Sequence, residues 1–449
     1  MVFAAAYGPV PALHAGLAMR PWVACATDPA FSPLRVAPRP DPANQDSSLG
    51  GEQSMTNGPR MVELDVLRGF AVAVMILVVS PGSWAHSLPQ LQHAAWHGWT
   101  FADFVFPDFL FGVGMALGLT FGRSLDPRDP RAFWLKLCRR VLGLILLGLA
   151  LNYLAVVAGH LGAPPTGPDD HTTWRIPGVL QRIAGAYLIA VLVLLATSRR
   201  AAGVPMQPNP PAILAVLAVL LIGYWGLLTF VPVPGFGAGD LGMAGNLPAY
   251  VDRTVFGTEH MWPLGAASWR GPILYDPEGL LATLPASGNI LFGILAICIW
   301  RRPERARIAA LAIIGLGLVA TGLLLDPIFP INKKIWTSSF VLLTSGLSFL
   351  ALLVAAALLR ARLTPLWPLK VLGGNAILAF SISIALSALS AIPLTFGGVT
   401  ATLQERGFAI VSRLIPEPYE ASLACAFGVV AFIMLLVWPL HRKGIHLRL

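Results

Sequence analysis

The stretch TSSFVLLTSGLSFLALLVAAALL, at residues 337–359, decides the fold class, because it contains no Asp, Glu, Lys or Arg. A helix of about 20 apolar residues is long enough to cross the roughly 30 Å hydrocarbon core of a bilayer. Of the 449 residues in the chain, 56% are hydrophobic and 12% are charged, whereas soluble domains usually carry about 25% charged residues. Because backbone groups in lipid must be hydrogen-bonded within their own segment, the sequence predicts an all-α, polytopic membrane helical bundle.

Comparable apolar runs recur along the chain and predict about ten transmembrane helices. We therefore expect residues 61–449 to form one transmembrane domain that has membrane lipid as its surroundings. The predicted spans are 64–84, 100–122, 134–157, 179–197, 212–231, 280–300, 306–325, 337–359, 368–392 and 421–440.

The basic residues are distributed unequally among the connections between these spans. With the N terminus in the cytoplasm, 20 Lys and Arg fall in or beside the cytoplasmic connections and 7 fall in the outer ones. This asymmetry is typical of cytoplasmic loops and predicts that both termini are cytoplasmic. It also explains the net charge of +9 without nucleic acid as a partner.

Residues 1–60 differ from the rest, because they are rich in Ala, Pro, Ser and Gly and show no helical periodicity. No basic residue precedes their first apolar stretch, which is atypical of a signal peptide. We expect a mostly disordered extension. An over-called start, with Met55 or Met61 as the true initiator, is the alternative interpretation.

The sequence does not support several familiar enzyme classes. It contains no G-x-x-x-x-G-K-[ST], H-E-x-x-H or G-x-S-x-G, which argues against a P-loop ATPase, a zinc protease or a serine hydrolase. Its G-x-G-x-x-G match, at residues 237–242, lies in a connection between two apolar spans and lacks the strand-to-helix context of a dinucleotide-binding motif. None of the four cysteines has CxxC spacing. We therefore expect neither a disulfide framework nor a metal site.

Titratable residues gather in the stretch QHAAWHGWTFAD, residues 92–103, between the first two spans. Trp96 is typical of a membrane interface. The pattern T-x-x-D predicts a capping box at the start of the second span, so Asp103 has a structural interpretation as well as a functional one. His93 and His97 are either interfacial hydrogen-bonding groups or part of a site.

Other polar residues are predicted at the same membrane level. Arg182 lies inside the fourth span, where an arginine usually faces an aqueous cavity or a partner. Asp276 and Glu278 lie just before the sixth span, and Lys333 and Lys334 lie just before the eighth. Each of these residues alone could be a local cap or an interfacial anchor, but their common depth in the membrane predicts one pocket.

An ordered series of segments resembles the heparan-α-glucosaminide N-acetyltransferase family of membrane acetyltransferases and its bacterial relatives. The resemblance covers residues 60–449. The segments are LDVLRG, MILVVSPGSW, LQHAAWHGWTFADFVFPDFLF, RIPGVLQRIAGAYL, YDPEGLLATLPASGNILFG, NKKIWTSSFVLLTSG and WPLHRKGIHLRL.

The resemblance implies transfer of an acetyl group from cytosolic acetyl-CoA, as co-substrate, to a glucosamine amine across the membrane, here a bacterial inner membrane. The essential histidine of the HAxWxG stretch corresponds to His93. Two departures stand out. The family asparagine at the end of the first span is replaced, since the matching positions are Val79 and Ser80, and Asp108 stands where relatives usually carry an aromatic residue.

On this interpretation His93 acts as general base or as a transient acetyl carrier, and Asp103 orients it. Direct transfer and an acetyl-histidine intermediate stay open. Trp96, His97, Arg182, Asp276, Glu278, Lys333 and Lys334 are the candidate substrate-binding residues, while Asn375, at a cytoplasmic vestibule, and Asn289 are assigned to the CoA side.

Two other functions remain open from the sequence. The first is transport of N-acetylglucosamine or related amino sugars, since polar residues at the helix ends would serve a carrier equally well. The second is O-acetylation of an envelope glycan, which uses the same base with a hydroxyl acceptor. Glycines spaced as in G-x-x-x-G, such as Gly118 and Gly122, permit close helix packing within one chain or in a homodimer.

Overall fold

The computed structural model describes residues 61–162, 174–201, 204–266, 272–362 and 366–445. The predicted extension, residues 1–60, lies outside them. The described residues form thirteen α-helices and two small antiparallel hairpins, β1–β2 and β3–β4. The helices are α1 Val62–Val79, α2 Phe101–Thr120, α3 Pro130–Gly162, α4 Val179–Thr197, α5 Pro210–Phe230, α6 Leu247–Phe256, α7 Thr283–Trp300, α8 Glu304–Leu325, α9 Ser338–Ala361, α10 Trp367–Gly374, α11 Ala376–Ser390, α12 Leu403–Val411 and α13 Pro418–Arg442; the strands are β1 Arg199–Ala201, β2 Val204–Gln207, β3 Pro393–Phe396 and β4 Val399–Thr402.

The predicted all-α, polytopic membrane fold is confirmed. Within the described residues, eight helices are long and apolar enough to cross a membrane, namely α2–α5, α7–α9 and α13, and the pair α10–α11 adds a ninth candidate. The first predicted span corresponds to α1, which carries Glu63, Asp65 and Arg68 and packs against α2 and α10. Each of the ten predicted spans thus coincides with a helix or a helix pair, and the crossing of the membrane by α1 stays a prediction.

The ninth predicted span, 368–392, consists of two helices and not of one. Helices α10 and α11 meet at Asn375 with a bend of 85°. Gly373 and Gly374 precede the break, and glycine is a poor helix former. A Cβ at Gly373 would lie 1.9 Å from the carbonyl oxygen of Asp65, so close packing of α10 on α1 requires glycine there.

Helices α2 and α7 form the centre of the bundle, and their backbones touch. A Cβ at Gly114 would lie 1.9 Å from the carbonyl oxygen of Ile290, and one at Gly293 would lie 2.0 Å from that of Phe111. Gly118 of α2 also packs on α7, since its Cβ would lie 3.5 Å from Ile294. This glycine therefore serves packing within the chain, and the homodimer stays untested.

The long connection between α5 and α7 contains a helix that the sequence analysis missed. Helix α6 begins after Asn246, whose side-chain oxygen accepts the backbone N–H of Ala249 at 2.8 Å. The guanidinium of Arg253 donates to the carbonyl oxygens of Leu274 and Ala244, and the Asp252 carboxylate accepts the N–H of Leu280 at 2.8 Å. These bonds fold the connection onto the end of the bundle where α2, α4, α7 and α9 begin, which we call the His93 end.

Candidate functional site

Asp103 caps the start of α2, as the T-x-x-D pattern predicts. Its Oδ2 accepts the backbone N–H of Thr100 at 3.0 Å and that of Ala94 at 3.0 Å, and the Thr100 hydroxyl at 3.1 Å. The side chain is fully buried. One carboxylate oxygen therefore ties the loop after α1 to the first turn of α2.

The other oxygen of the same carboxylate faces a histidine. Asp103 Oδ1 lies 2.8 Å from Nδ1 of His93, whose side chain is 36% exposed. A carboxylate at Nδ1 favours the tautomer in which Nδ1 carries the proton and Nε2 carries the lone pair. The structural and functional interpretations of Asp103 are compatible, because each uses a different oxygen.

Lys333 lies against the same imidazole. Its Nζ is 3.0 Å from Nε2 and 3.1 Å from Nδ1 of His93, and 3.8 Å from Oδ1 of Asp103. These distances put the amine of Lys333 within hydrogen-bond reach of Nε2.

Backbone pairing between two loops fixes this arrangement. The N–H of Gly98 donates to the carbonyl of Ile331 at 2.8 Å. The buried Asn332 accepts the N–H of Ile335 at 3.1 Å, and its side-chain nitrogen lies 3.3 Å from Nδ1 of His97. His97 thus holds the loops together at the edge of the site.

The electrostatic surroundings adjust both bases of the site. Burial lowers the pKa of His93, the charge of Lys333 lowers it further, and the Asp103 carboxylate opposes both. Burial also lowers the pKa of Lys333 to about 8, although Asp103 and Glu278 oppose the change. At neutral pH His93 is therefore an uncharged base, and roughly a tenth of the Lys333 amine is uncharged.

A buried ion-pair network continues from Lys333. Arg175 donates from Nε to Oδ2 of Asp276 at 2.8 Å, and from Nη2 to Oδ1 of Asp276 and to Oε2 of Glu278, each at 2.5 Å. Asp276 also accepts the backbone N–H groups of Trp262 and Glu278. The carboxylate of Asp276 is thus occupied within the protein. Arg175 was not a candidate from sequence, because its predicted place in an outer loop gave no sign of this partner.

Glu278 links this network to the rest of the site. Burial raises the pKa of this carboxyl group, but the charges of Arg175, Arg182 and Lys333 outweigh burial and lower it to about 2. Glu278 is therefore ionised at all physiological pH values. Its charge stabilises three cations that would otherwise repel one another.

Arg182 is the most buried cation of the group. It is 1% exposed, its Nη2 donates to the carbonyl of Gly279 at 3.2 Å, and its guanidinium carbon lies 4.8 Å from the ring centre of Trp336. Its Nε and Nη1 have no partner among the described residues. Because buried donors are normally hydrogen-bonded, these two nitrogens are suited to an oxygen of a bound substrate.

Aromatic rings line the same side of the site. Nζ of Lys334 lies 5.2 Å from the ring centre of Trp262 and 5.9 Å from that of Tyr275. The rings of Trp96 and Tyr275 are 4.8 Å apart, and Nε1 of Trp96 donates to the carbonyl of Leu241 at 2.8 Å. Sequence reasoning missed Trp262 and Tyr275, although Tyr275 directly precedes the candidate residue Asp276.

The two asparagines assigned to the CoA side lie in different places. Asn289 is buried in α7, where its amide donates to the hydroxyls of Thr344 and Ser345 and its oxygen accepts Nε1 of Trp336 at 3.0 Å. It therefore supports the ring on which Arg182 stacks. Asn375 lies at the α10–α11 break, and its amide donates to the carbonyl of Ile445 at 3.2 Å.

A cavity of about 450 Å³ opens between α3, α4 and α11, beside Arg175. It shares Val179, Leu180 and Phe380 with a narrow apolar gap that runs past Met75, Phe109, Ile183 and Ile377. The gap is too narrow to admit water. It runs from the His93 end toward the first turn of α11, next to the break at Asn375.

Asp108, where the sequence departs from the family pattern, is an isolated polar group in α2. It is 1% exposed, no hydrogen bond of normal geometry reaches its carboxylate oxygens among the described residues, and the Ser348 hydroxyl is its polar neighbour. It lies two turns below the start of the helix, in the apolar core, where a carboxyl group so weakly paired is costly to bury.

The sequence was compared with known proteins. A family model described as "Heparan-alpha-glucosaminide N-acetyltransferase, catalytic" matches residues 60–320. The heparan-alpha-glucosaminide N-acetyltransferase of Homo sapiens is 30% identical over 364 residues, which cover 72% of this chain and 52% of the relative. The protein of the same name from Mus musculus is 29% identical over 360 residues, with the same coverage of 72% and 52%. The chain thus spans about half the length of the curated relatives it matches.

Proposed function

Because this chain belongs to the heparan-alpha-glucosaminide N-acetyltransferase family, we propose that it is a transmembrane acetyltransferase. The acetyl group comes from acetyl-CoA in the cytoplasm, and the acceptor is an amino sugar or an envelope glycan at the extracytoplasmic face of a bacterial inner membrane. The observation that carries the proposal is the 2.8 Å contact between His93 Nδ1 and Asp103 Oδ1, which favours the tautomer with the lone pair on Nε2, beside a group of cations.

His93 is suited to deprotonate the acceptor. As the neutral amine attacks the thioester carbonyl, a C–N bond forms and Nε2 takes the proton from the nitrogen. The C–S bond then breaks, and the imidazolium returns its proton to the CoA sulfur, which leaves as a thiol. An acetyl-imidazole formed at the same nitrogen would use the same geometry. The lowered pKa of His93 keeps this base uncharged at neutral pH.

The negative charge on the carbonyl oxygen during attack needs donors. Arg182 has two nitrogens without partners in the part of the chain that the structure describes, and the ammonium form of Lys333 lies 3.0 Å from Nε2 of His93. Donors fixed before the reaction stabilise such an oxyanion without rearranging. We assign Arg182 as the principal donor, because its orientation is set by Trp336 and Gly279 and does not depend on the substrate.

The aromatic side of the site is suited to a sugar ring. Trp96, Tyr275 and Trp262 present flat apolar faces, and Lys334 and His97 supply polar groups at their edges. Glu278 can hold an ammonium or hydroxyl group of the acceptor. Asp276 acts through Arg175, because its oxygens are already occupied.

The donor enters at the opposite end of the bundle. Arg442 and Lys443 lie at the end of α13, where they can attract the phosphates of CoA. The apolar gap past Ile377 and Ile183 is the path that we assign to the pantetheine arm. Because the gap is narrow here, binding must move α11 away from α1 and α2.

Purified protein, labelled acetyl-CoA and a panel of glucosamine acceptors test the assignment. His93→Ala and His93→Gln are expected to lower the rate of transfer by about 10²–10⁴, the usual contribution of a general base. His160→Ala is the matched control, because this ring hydrogen-bonds the carbonyl of Val156 within its own helix, α3. Transfer at the wild-type rate by both His93 variants would remove the central residue of the proposal.

A further inference from the structure

A second amine is built into the site. The acceptor nitrogen must come within reach of Nε2 of His93, and Nζ of Lys333 is already 3.0 Å from that atom. Lys333 is 8% exposed, so bulk solvent does not compete for it. Its charged neighbours are the carboxylates of Asp103 and Glu278 and the cations Lys334 and Arg182.

The amine is held in place by its loop. Asn332, which is fully buried, accepts the N–H of Ile335, and its own backbone N–H donates to the Thr337 hydroxyl at 3.0 Å. Trp336 adopts a left-handed backbone with φ 52°, which a bulky residue takes up only under the constraint of its surroundings. A nucleophile fixed next to the reacting group needs little reorganisation to attack.

The neighbouring lysine provides an internal comparison. Nζ of Lys334 lies over the rings of Trp262 and Tyr275, whereas Nζ of Lys333 lies over the imidazole. Adjacent residues of the same type thus present their amines to different surroundings. Of these two lysines, Lys333 is the one whose amine contacts His93, the base that we assign to the acceptor.

We propose that Lys333 is a self-acetylation site, at which the enzyme modifies itself when acetyl-CoA is present and the acceptor is scarce. The inference rests on the proposed function, because it requires acetyl-CoA to bind next to His93. The neutral amine attacks the thioester carbonyl, a C–N bond forms and the C–S bond breaks. Nε2 of His93 takes the proton from the lysine nitrogen and delivers it to the CoA sulfur, so the products are Nε-acetyl-lysine and CoA thiol.

The modification closes the site. An amide is stable under these conditions, so the acetyl group stays on Lys333. The product carries no charge to pair with Asp103, and its acetamide fills the space over the imidazole. Without acceptor, thioester consumption therefore stops after one turnover per chain. A glucosamine amine protects the enzyme, because it competes for the same thioester.

The experiment uses the full-length purified chain with ¹³C-labelled acetyl-CoA and no acceptor, followed by mass spectrometry of peptides. Lys334→Arg is included, because it keeps the positive charge and makes assignment of the adduct to Lys333 unambiguous. We expect the adduct on Lys333, formed about tenfold faster at pH 9 than at pH 7 and with no further rise above that, since its pKa is lowered to about 8. Lys136, an exposed lysine of α3, is the internal reference for ordinary chemical acetylation.

Two further arms separate the outcomes. His93→Ala should slow the adduct on Lys333 and leave that on Lys136 unchanged. Equal labelling of Lys333 in both proteins would mean ordinary chemical acetylation and overturn the inference. Glucosamine should slow the adduct. If glucosamine is acetylated over many turnovers while Lys333 stays unmodified, or if Lys334 is the residue modified, the inference fails and the proposed function stands. If neither glucosamine nor Lys333 is acetylated, both fail.

Discussion

Replacement of Asp103 by Asn separates the two roles of this carboxylate. Asparagine has the same shape, so its oxygen can remain at the Oδ2 position and accept the N–H groups of Thr100 and Ala94. Its NH₂ group then faces Nδ1 of His93, where the carboxylate oxygen lies 2.8 Å away in the wild type. Because an amide NH₂ only donates, it favours the tautomer with the proton on Nε2, and the lone pair that we assign to catalysis is lost.

The expected magnitudes differ for activity and stability. Loss of the correct tautomer should lower kcat by about 10²–10⁴, the range of general-base catalysis; the matching Asp→Asn change in Ser-His-Asp triads lowers kcat by about 10⁴. The unfolding free energy should change by no more than about 1 kcal/mol, because asparagine is also a good helix cap. Asp103→Ala, which loses cap and orientation together, should lower both activity and Tm.

The assay measures kcat and KM for acetyl-CoA and glucosamine, together with thermal unfolding of the same preparations in detergent. We expect Asp103→Asn to lower kcat with KM and Tm close to the wild-type values. A variant that retains kcat within about threefold, well below the general-base contribution, and unfolds at the wild-type temperature would refute the tautomer argument. Asp103 would then be a helix cap only.

Three other substitutions test separate parts of the structure. Lys333→Met removes a charge that lowers the pKa of His93. The pH below which kcat/KM falls should therefore move upward. An unchanged pH profile would show that the protonation of His93 does not cause the loss of activity at acidic pH. Arg175→Met leaves the buried carboxylates of Asp276 and Glu278 without their closest cation and should lower the unfolding free energy by about 3–5 kcal/mol. A decrease below about 1 kcal/mol, as for an exposed ion pair, would argue against a buried ion-pair network. Asp108→Leu removes a carboxyl that is buried without a well-formed hydrogen bond among the described residues and should raise the unfolding free energy by about 1–3 kcal/mol. A lower Tm would show that the contact with Ser348 is stabilising.

The sequence predicts the helices well, because burial in a membrane requires long apolar runs and leaves a clear signal. It also predicts the capping role of Asp103, since T-x-x-D is a local pattern and the hydrogen bonds of a cap are local as well. His93 and Asp103 are ten residues apart. Their contact follows from the cap, because the loop that returns to Thr100 carries the histidine with it.

Contacts between distant segments are not predictable in this way. Lys333 and His93 are 240 residues apart, and Arg175 and Asp276 are 101 residues apart, so no periodicity could have paired them. The break at Asn375 depends on how closely α10 approaches α1 at Gly373. Each of these features is set by the packing of the assembled bundle and not by local preference.

The central claim is that an acetyl group passes through the protein from one side of the membrane to His93 on the other. The direct test uses proteoliposomes in which the C-terminal end of the chain faces inward, with labelled acetyl-CoA trapped inside and glucosamine outside. The account predicts that N-acetylglucosamine accumulates outside while CoA remains inside, and that His93→Ala abolishes this. Product formed only when both substrates are on the same side, or uptake of the amino sugar without acetyl-CoA, would contradict it.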